Sequence, residues 1–189
     1  MKNKKILIVV DVQVDFCEGG ALAVSGSGGL IPELNKFISF CEKSNIQIIF
    51  TKDWHPVNHH SFKSQIGKWP PHCIQNSVGA ELHPDLYVPK NAFILTKGES
   101  VHADGYSAFE NKALIDTMGL DKAVKVYVCG LALDYCVKAT AIDAIRHDFS
   151  RTYIILDLCR AISIDNKSTL SLLKQEKVAI ATSSDLMSD

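Results

Sequence analysis

One stretch, Val124 to Arg146, reads VKVYVCGLALDYCVKATAIDAIR and constrains the chain more than any other. Val124 to Cys129 is apolar or β-branched apart from one lysine, the pattern of a strand buried on both faces. Gly130 breaks the run and a helical pattern follows, with Val137, Ala141, Ala144 and Ile145 forming one apolar stripe. The short turn between them, Gly130 to Cys136, is a tight strand-to-helix crossing that puts Cys136 in the first helical turn. Unpaired backbone N–H groups and the helix dipole favour a thiolate there. A free cysteine is as readily a small core residue. Cys136 is therefore a candidate nucleophile only if the rest of the chain supplies partners.

The remaining segments repeat the strand-then-helix theme. Lys5 to Val10 reads as a second buried strand ending at Asp11, and the glycine-rich segment Cys17 to Gly29 as a loop or short hairpin. Leu30 to Ser44 carries Leu30, Leu34, Phe37, Ile38 and Cys41 on one helical face, with Pro32 in the first turn. Strands follow at Ile46–Thr51, Phe93–Thr96, Thr152–Leu156 and Val178–Ala181, and helices at Phe109–Met118 and Lys167–Gln175. This alternation predicts an α/β fold: a three-layer α/β/α arrangement with a single, mostly parallel sheet of about six strands and helices on both faces.

The exception is a long loop at about residues 52–92, without periodicity but with both tryptophans and five of the seven histidines. A loop of that length inside a compact domain is functional or disordered, and its aromatic content argues against disorder. The chain of 189 residues otherwise shows no linker or repeat, so residues 1–189 read as one domain. A net charge of −1 gives no reason to expect nucleic acid or an anionic membrane as partner. The apolar run Ile6–Val10 is too short for a signal-peptide core, and the six cysteines include no C-x-x-C pair. Reduced thiols and a cytoplasmic location are the expectation.

In a parallel sheet the carboxyl ends of the strands share one edge, where ligands bind. Asp11, Lys97 and Cys136 all fall at such ends, so an acid, a cation and a thiol can converge. The lysine would lower the thiol pKa and the carboxylate could take and return protons. A second set, Asp53-x-His55 with His72, offers one carboxylate and two imidazoles, which suits Zn²⁺ or Fe²⁺ and, less well, Mn²⁺.

Six motifs occur in order along nearly the whole chain: DVQVDFCEGGALAV, TKDWHPVNHHSF, KWPPHC, the lysine of TKG, GYSAF and GLALDYCV. In these the chain resembles the nicotinamidases (pyrazinamidases) of the isochorismatase-like cysteine hydrolase family. The resemblance implies Asp11, Lys97 and Cys136 as a catalytic triad that hydrolyses nicotinamide to nicotinate and ammonia through a cysteine thioester, in NAD salvage. It implies backbone N–H groups of Ala132 and Cys136 as oxyanion hole, with a cis peptide between Leu131 and Ala132. It further implies Phe16, Trp69 and Tyr106 around the pyridine ring. Asp53, His55 and His72 would hold one divalent ion, zinc first and iron or manganese as alternatives, with His59 or His60 as a fourth ligand. That ion would bind the ring nitrogen, directly or through water. The chain departs from the family pattern at Val14, where asparagine is usual, and this affects a hydrogen bond near Asp11 rather than the triad.

Rival readings are a sister isochorismatase or other amide hydrolase on the same scaffold, a non-catalytic metal-binding module, and a redox sensor using Cys136. The sisters typically lack the metal set, the module would not need all three triad types, and no resolving cysteine lies near Cys136 in sequence. The expected partner is a small molecule, nicotinamide, with no nucleic acid and no membrane; self-association into a homo-oligomer stays open.

Overall fold

The sequence KILIVV has no polar face after its first residue, and it forms strand β1 (Lys5–Val10) with Ile6 to Val10 fully buried. Each such side chain contributes roughly 1.5–3 kcal/mol of burial. The computed structural model describes residues 4–118 and 122–188. Its further strands are β2 (Gln47–Asp53), β3 (Phe93–Lys97), β4 (Lys125–Leu131), β5 (Thr152–Arg160) and β6 (Ala179–Ala181). The helices are α1 (Ser27–Lys43), α2 (Lys112–Met118), α3 (Lys138–Arg146), α4 (Lys167–Gln175) and α5 (Ser183–Met187).

The six strands form one sheet in the order β3-β2-β1-β4-β5-β6, and every neighbouring pair is parallel. The chain runs outward from β1 on one side and from β4 on the other, so the order reverses between those two strands. With right-handed crossovers, α1 covers one face and α2, α3 and α4 the other. The buried stripe of α1 is Leu30, Leu34, Phe37, Ile38 and Cys41, as the periodicity predicts. Connections that diverge to opposite faces leave a crevice at the carboxyl ends of β1 and β4.

Several boundaries differ from the sequence reading, each for a local reason. Helix α1 starts at Ser27, three residues before Leu30, behind Gly26 at φ +76°. Gly28 and Gly29 have no side chain to carry a pattern, so Pro32 lies inside the helix rather than in its first turn. Strand β5 continues past Leu156 to Arg160, because Cys159 and Arg160 pair with Gly130 and Leu131. The expected helix at 109–118 is a 3₁₀ turn, Ala108–Glu110, then α2, separated by the extended Asn111. The short α5, unannounced by periodicity, is fixed by a capping box between Thr182 and Asp185.

Gly130 does not end the central strand. Strand β4 runs on to Leu131, with Gly130 at φ +110° and a shift of register against β5. A Cβ on Gly130 would lie 2.2 Å from the Val10 carbonyl oxygen, so only glycine lets β1 and β4 stay paired at this point. No helix among the described residues is long and apolar enough to cross a membrane. All six cysteines are unpaired and buried.

Gly130→Ala should therefore destabilise the protein by at least about 2 kcal/mol, from positive-φ strain and displacement of β1. Urea unfolding checks this, and a midpoint equal to wild type would contradict the close approach.

Candidate active site

Directly after β1, Asp11 takes φ +49°, a left-handed backbone that aspartate tolerates better than most residues. Its amide donates to the Thr51 carbonyl at 3.2 Å, and the Thr51 hydroxyl donates to Oδ1 at 2.6 Å. Oδ2 lies 2.7 Å from Lys97 Nζ, an ion pair without an aligned hydrogen bond. Lys97 closes β3 and is itself buried. Its ammonium donates to the Gly105 carbonyl at 2.7 Å, to Asp53 Oδ1, and to Cys136 Sγ at 3.4 Å. Burial alone would lower the Lys97 pKa, but Asp11 and Asp53 hold it well above the usual value. Lys97 is charged.

Cys136 sits in a wide turn of π-helical geometry, Leu133–Val137, between β4 and α3. The Ala132 carbonyl accepts from the amides of Tyr135 and Val137 at 3.1 and 3.2 Å, and the Leu131–Ala132 peptide is cis. Burial pushes the Cys136 thiol well up; Lys97 opposes this, while the charges of Asp11 and Asp53 add to it. The thiolate expected from the helix start is thus outweighed, because the group is desolvated and faces two carboxylates as well as one ammonium. Asp11 is pushed up to about 6 by burial, restrained by Lys97 and assisted by Asp53.

Asp53, His55 and His72 place one ligand atom each within 4.8 Å of one another, and all three residues are buried. His55 Nδ1 is 2.9 Å from the Gly98 carbonyl and His72 Nδ1 is 2.7 Å from that of Pro70. A carbonyl only accepts, so both rings carry a proton on Nδ1, which leaves Nε2 as the nitrogen that can serve a metal. The donor set fits a divalent ion. A second trio, Asp11, Asp53 and Cys136, is equally close, but the Lys97 ammonium already stands among its oxygens.

His59 and His60 lie outside the cluster. The buried His59 is pushed down to about 4 by burial and by His55, so its ring is neutral. Nε2–H donates to the Ala103 carbonyl at 2.8 Å, and Nδ1 accepts from the Ser61 hydroxyl at 2.7 Å. Neither nitrogen is spare. His60 turns to the same Ala103 carbonyl at 3.2 Å and to Asp104 at 3.5 Å. Of the expected ring contacts, Phe16 stands 5.4 Å from the His72 ring, and Trp69 Nε1 donates to the Tyr106 hydroxyl at 3.1 Å.

An isochorismatase domain matches residues 5–185. The chain belongs to the isochorismatase family. It is 39% identical to a nicotinamidase of Acinetobacter baylyi, covering 94% of this chain and 90% of that one. It is 36% identical to a nicotinamidase of Escherichia coli strain K12, covering 94% and 93%. Among solved structures, a pyrazinamidase of Pyrococcus horikoshii in complex with zinc superposes with a TM-score of 0.87 at 38% identity, covering 95% and 99%.

Around this isochorismatase-family site stand residues that the motif reading passed over. Gln13 donates to the carbonyls of Asp53 and Ala80 and accepts from the Asp53 amide, each at 2.8 Å. Asp15 accepts from the Cys73 amide at 2.7 Å, next to His72. Both lie in the quoted DVQVDF motif, where alternate polar residues mark two further inward contacts. Thr51 and Tyr135 also fall inside quoted motifs, TKDWHPVNHHSF and GLALDYCV, but without that alternation to single them out. Tyr135 stacks edge-on against Trp69 at 5.0 Å, and Lys68 lies 4.6 Å from both ring centres. Gly98 and Gly105 lie against each other and both meet His55 at Cε1: a Cβ on Gly98 would come within 2.4 Å of that atom, and one on Gly105 within 3.1 Å.

Lys97→Met would leave two buried carboxylates facing each other without a counter-charge. It should cost about 3–5 kcal/mol of stability at neutral pH. Urea unfolding of the variant tests this; a loss below about 1 kcal/mol would mean that the ammonium is not the common partner of both acids.

Proposed function

We propose that this chain hydrolyses nicotinamide to nicotinate and ammonia through a thioester on Cys136. The observation that carries the reading is the convergence of Asp11, Lys97 and the Cys136 thiol beside a donor set of one carboxylate and two imidazoles. The thiol is protonated at rest, since burial pushes it well up. Asp11, pushed up to about 6, is ionised at neutral pH yet holds a proton readily, and it faces both the Lys97 ammonium and the Cys136 thiol. It takes the thiol proton as Sγ attacks the carboxamide carbon. Backbone N–H groups of Ala132 and Cys136 stabilise the oxyanion that forms.

As the tetrahedral species collapses the C–N bond breaks, and Asp11 passes its proton to the leaving ammonia. A water then gives a proton to Asp11 and adds to the thioester carbon. The C–S bond breaks, the Asp11 proton returns to sulfur, and the new carboxylic acid gives its own proton to solvent as it departs as nicotinate. Lys97 stays charged throughout. It orients Asp11 and stabilises the developing thiolate, work its hydrogen bond to Sγ supports.

Asp53, His55 and His72 are the proposed protein ligands, three in number, because both ring nitrogens of His59 are engaged and His60 faces Ala103 and Asp104. A divalent ion held there, zinc on the strength of this donor set, would supply a Lewis-acidic contact for the pyridine nitrogen. Phe16, Trp69 and Tyr106, with Tyr135, form the proposed walls around the ring. The six unpaired thiols support a reducing compartment such as the cytoplasm.

Purified protein should release ammonia from nicotinamide, and Cys136→Ala should lower turnover by on the order of a thousandfold or more while metal content and fold persist. A variant keeping a substantial fraction of wild-type turnover would sink the nucleophile. Protein that binds zinc yet releases no ammonia would leave the non-catalytic reading standing.

Stripping the metal should lower amidase activity by on the order of a hundredfold, because a ring misplaced by about 1 Å no longer presents its amide. Alkylation of Cys136 by iodoacetamide, which makes no ring contact, should keep its rate. Metal-free protein that turns over nicotinamide as fast as the zinc-loaded form rules out the anchoring role.

A further inference from the structure

The turn that carries Cys136 is closed by backbone hydrogen bonds, from the amides of Tyr135 and Val137 to the Ala132 carbonyl and from that of Lys138 to the carbonyls of Leu133 and Tyr135. It is wider than an α-turn, with the Val137 amide reaching back five residues to the Ala132 carbonyl at 3.2 Å. The sulfur is held 3.4 Å from Lys97. Two residues before it, Asp134 is buried at 8% exposure and turns away to a different partner. Its Oδ1 accepts from the Ile162 amide at 3.0 Å and its Oδ2 from the Ser163 amide at 2.9 Å.

Both carboxylate oxygens are thus taken by successive N–H groups of one loop, a charge-assisted and geometrically specific pair. That loop joins β5 to α4 and is fixed in turn. Ser163 Oγ donates to the Asp165 carbonyl at 3.1 Å, and the Asp165 carboxylate accepts from the Lys167 amide at 2.9 Å as α4 begins.

We infer that Asp134 is a positioning residue for the nucleophile: by clamping the Cys136 turn to the β5–α4 loop, it sets the distance of Sγ from Lys97 and Asp11. The inference rests on the thioester reading above. Asp134 touches neither substrate nor reacting atoms. Its effect comes from the tolerance of the chemistry, where displacement by about 1 Å costs on the order of a hundredfold in rate.

Asp134→Asn keeps the size of the side chain but sets an NH₂ group against one of the two amides. Ser163→Pro removes one donor from the far side without touching the turn. In folded protein of wild-type zinc content, each should lower kcat for nicotinamide at least tenfold while KM stays within twofold. The double variant should lose much less than the product of the two single losses. Iodoacetamide should alkylate Cys136 at least fivefold more slowly in both, as the thiol leaves its base and its ammonium.

A kcat within twofold of wild type in either folded variant overturns the proposal. So does a loss confined to KM, or fully multiplicative losses in the double variant. If wild-type protein showed no amidase activity, the nicotinamide reading would fail by itself. The alkylation rates would still decide this proposal, and unchanged rates would overturn it.

Discussion

A single buried ammonium ties the carboxyl edge of the sheet together. Lys97 comes from β3, Asp53 from β2, Asp11 from the end of β1 and Cys136 from the turn after β4, and Nζ meets all three. Two carboxylates this deep in protein could not both stay ionised without that charge, and the charge could not stay protonated without them. The arrangement is self-consistent only when four separate segments are in place. It also links the metal-ligand candidates to the thiol, because Asp53 belongs to both groups: one oxygen on Lys97, the other 3.4 Å from His55 Nε2.

Close backbone approach makes this convergence achievable. Gly130 lets β4 lie against Val10, which brings the exits of β1 and β4 side by side. Gly98 and Gly105, both at positive φ, leave just the room that the His55 ring fills. Side-chain clamps then replace regular hydrogen bonding where the chain is irregular. Gln13 satisfies the Asp53 backbone, Asp15 holds the amide next to His72, and Asp134 holds the nucleophile turn. Long loops without secondary structure need such partners for their buried polar groups.

The segment between β2 and β3 illustrates the same economy. Phe62 sits fully buried with its ring 5.8 Å from His55 and 5.3 Å from His72, so an apolar residue sets the tilt of both imidazoles. A few residues on, Trp69 bonds to Tyr106 and stacks on Tyr135, which joins this segment to the turn beside Cys136. One irregular stretch thereby serves the metal-ligand side and the thiol side together.

Much of this was legible in the sequence, for a physical reason. Runs such as Lys5–Val10 and Val124–Cys129 can be stable only as strands covered on both faces, and such strands demand helical crossovers. That places Asp11, Asp53, Lys97 and Cys136 at one sheet edge before any coordinates are known. Periodicity is silent where side chains are small or irregular, so it missed the start of α1 at Ser27 and the passage of β4 through Gly130. It cannot report protonation either. The raised thiol of Cys136 follows from burial among carboxylates, a property of the folded neighbourhood and not of the turn. The choice between His59 and His60 was likewise beyond it. Which ring nitrogens are free depends on the carbonyl of Ala103, more than forty residues along the chain, and only tertiary contact brings that group within reach.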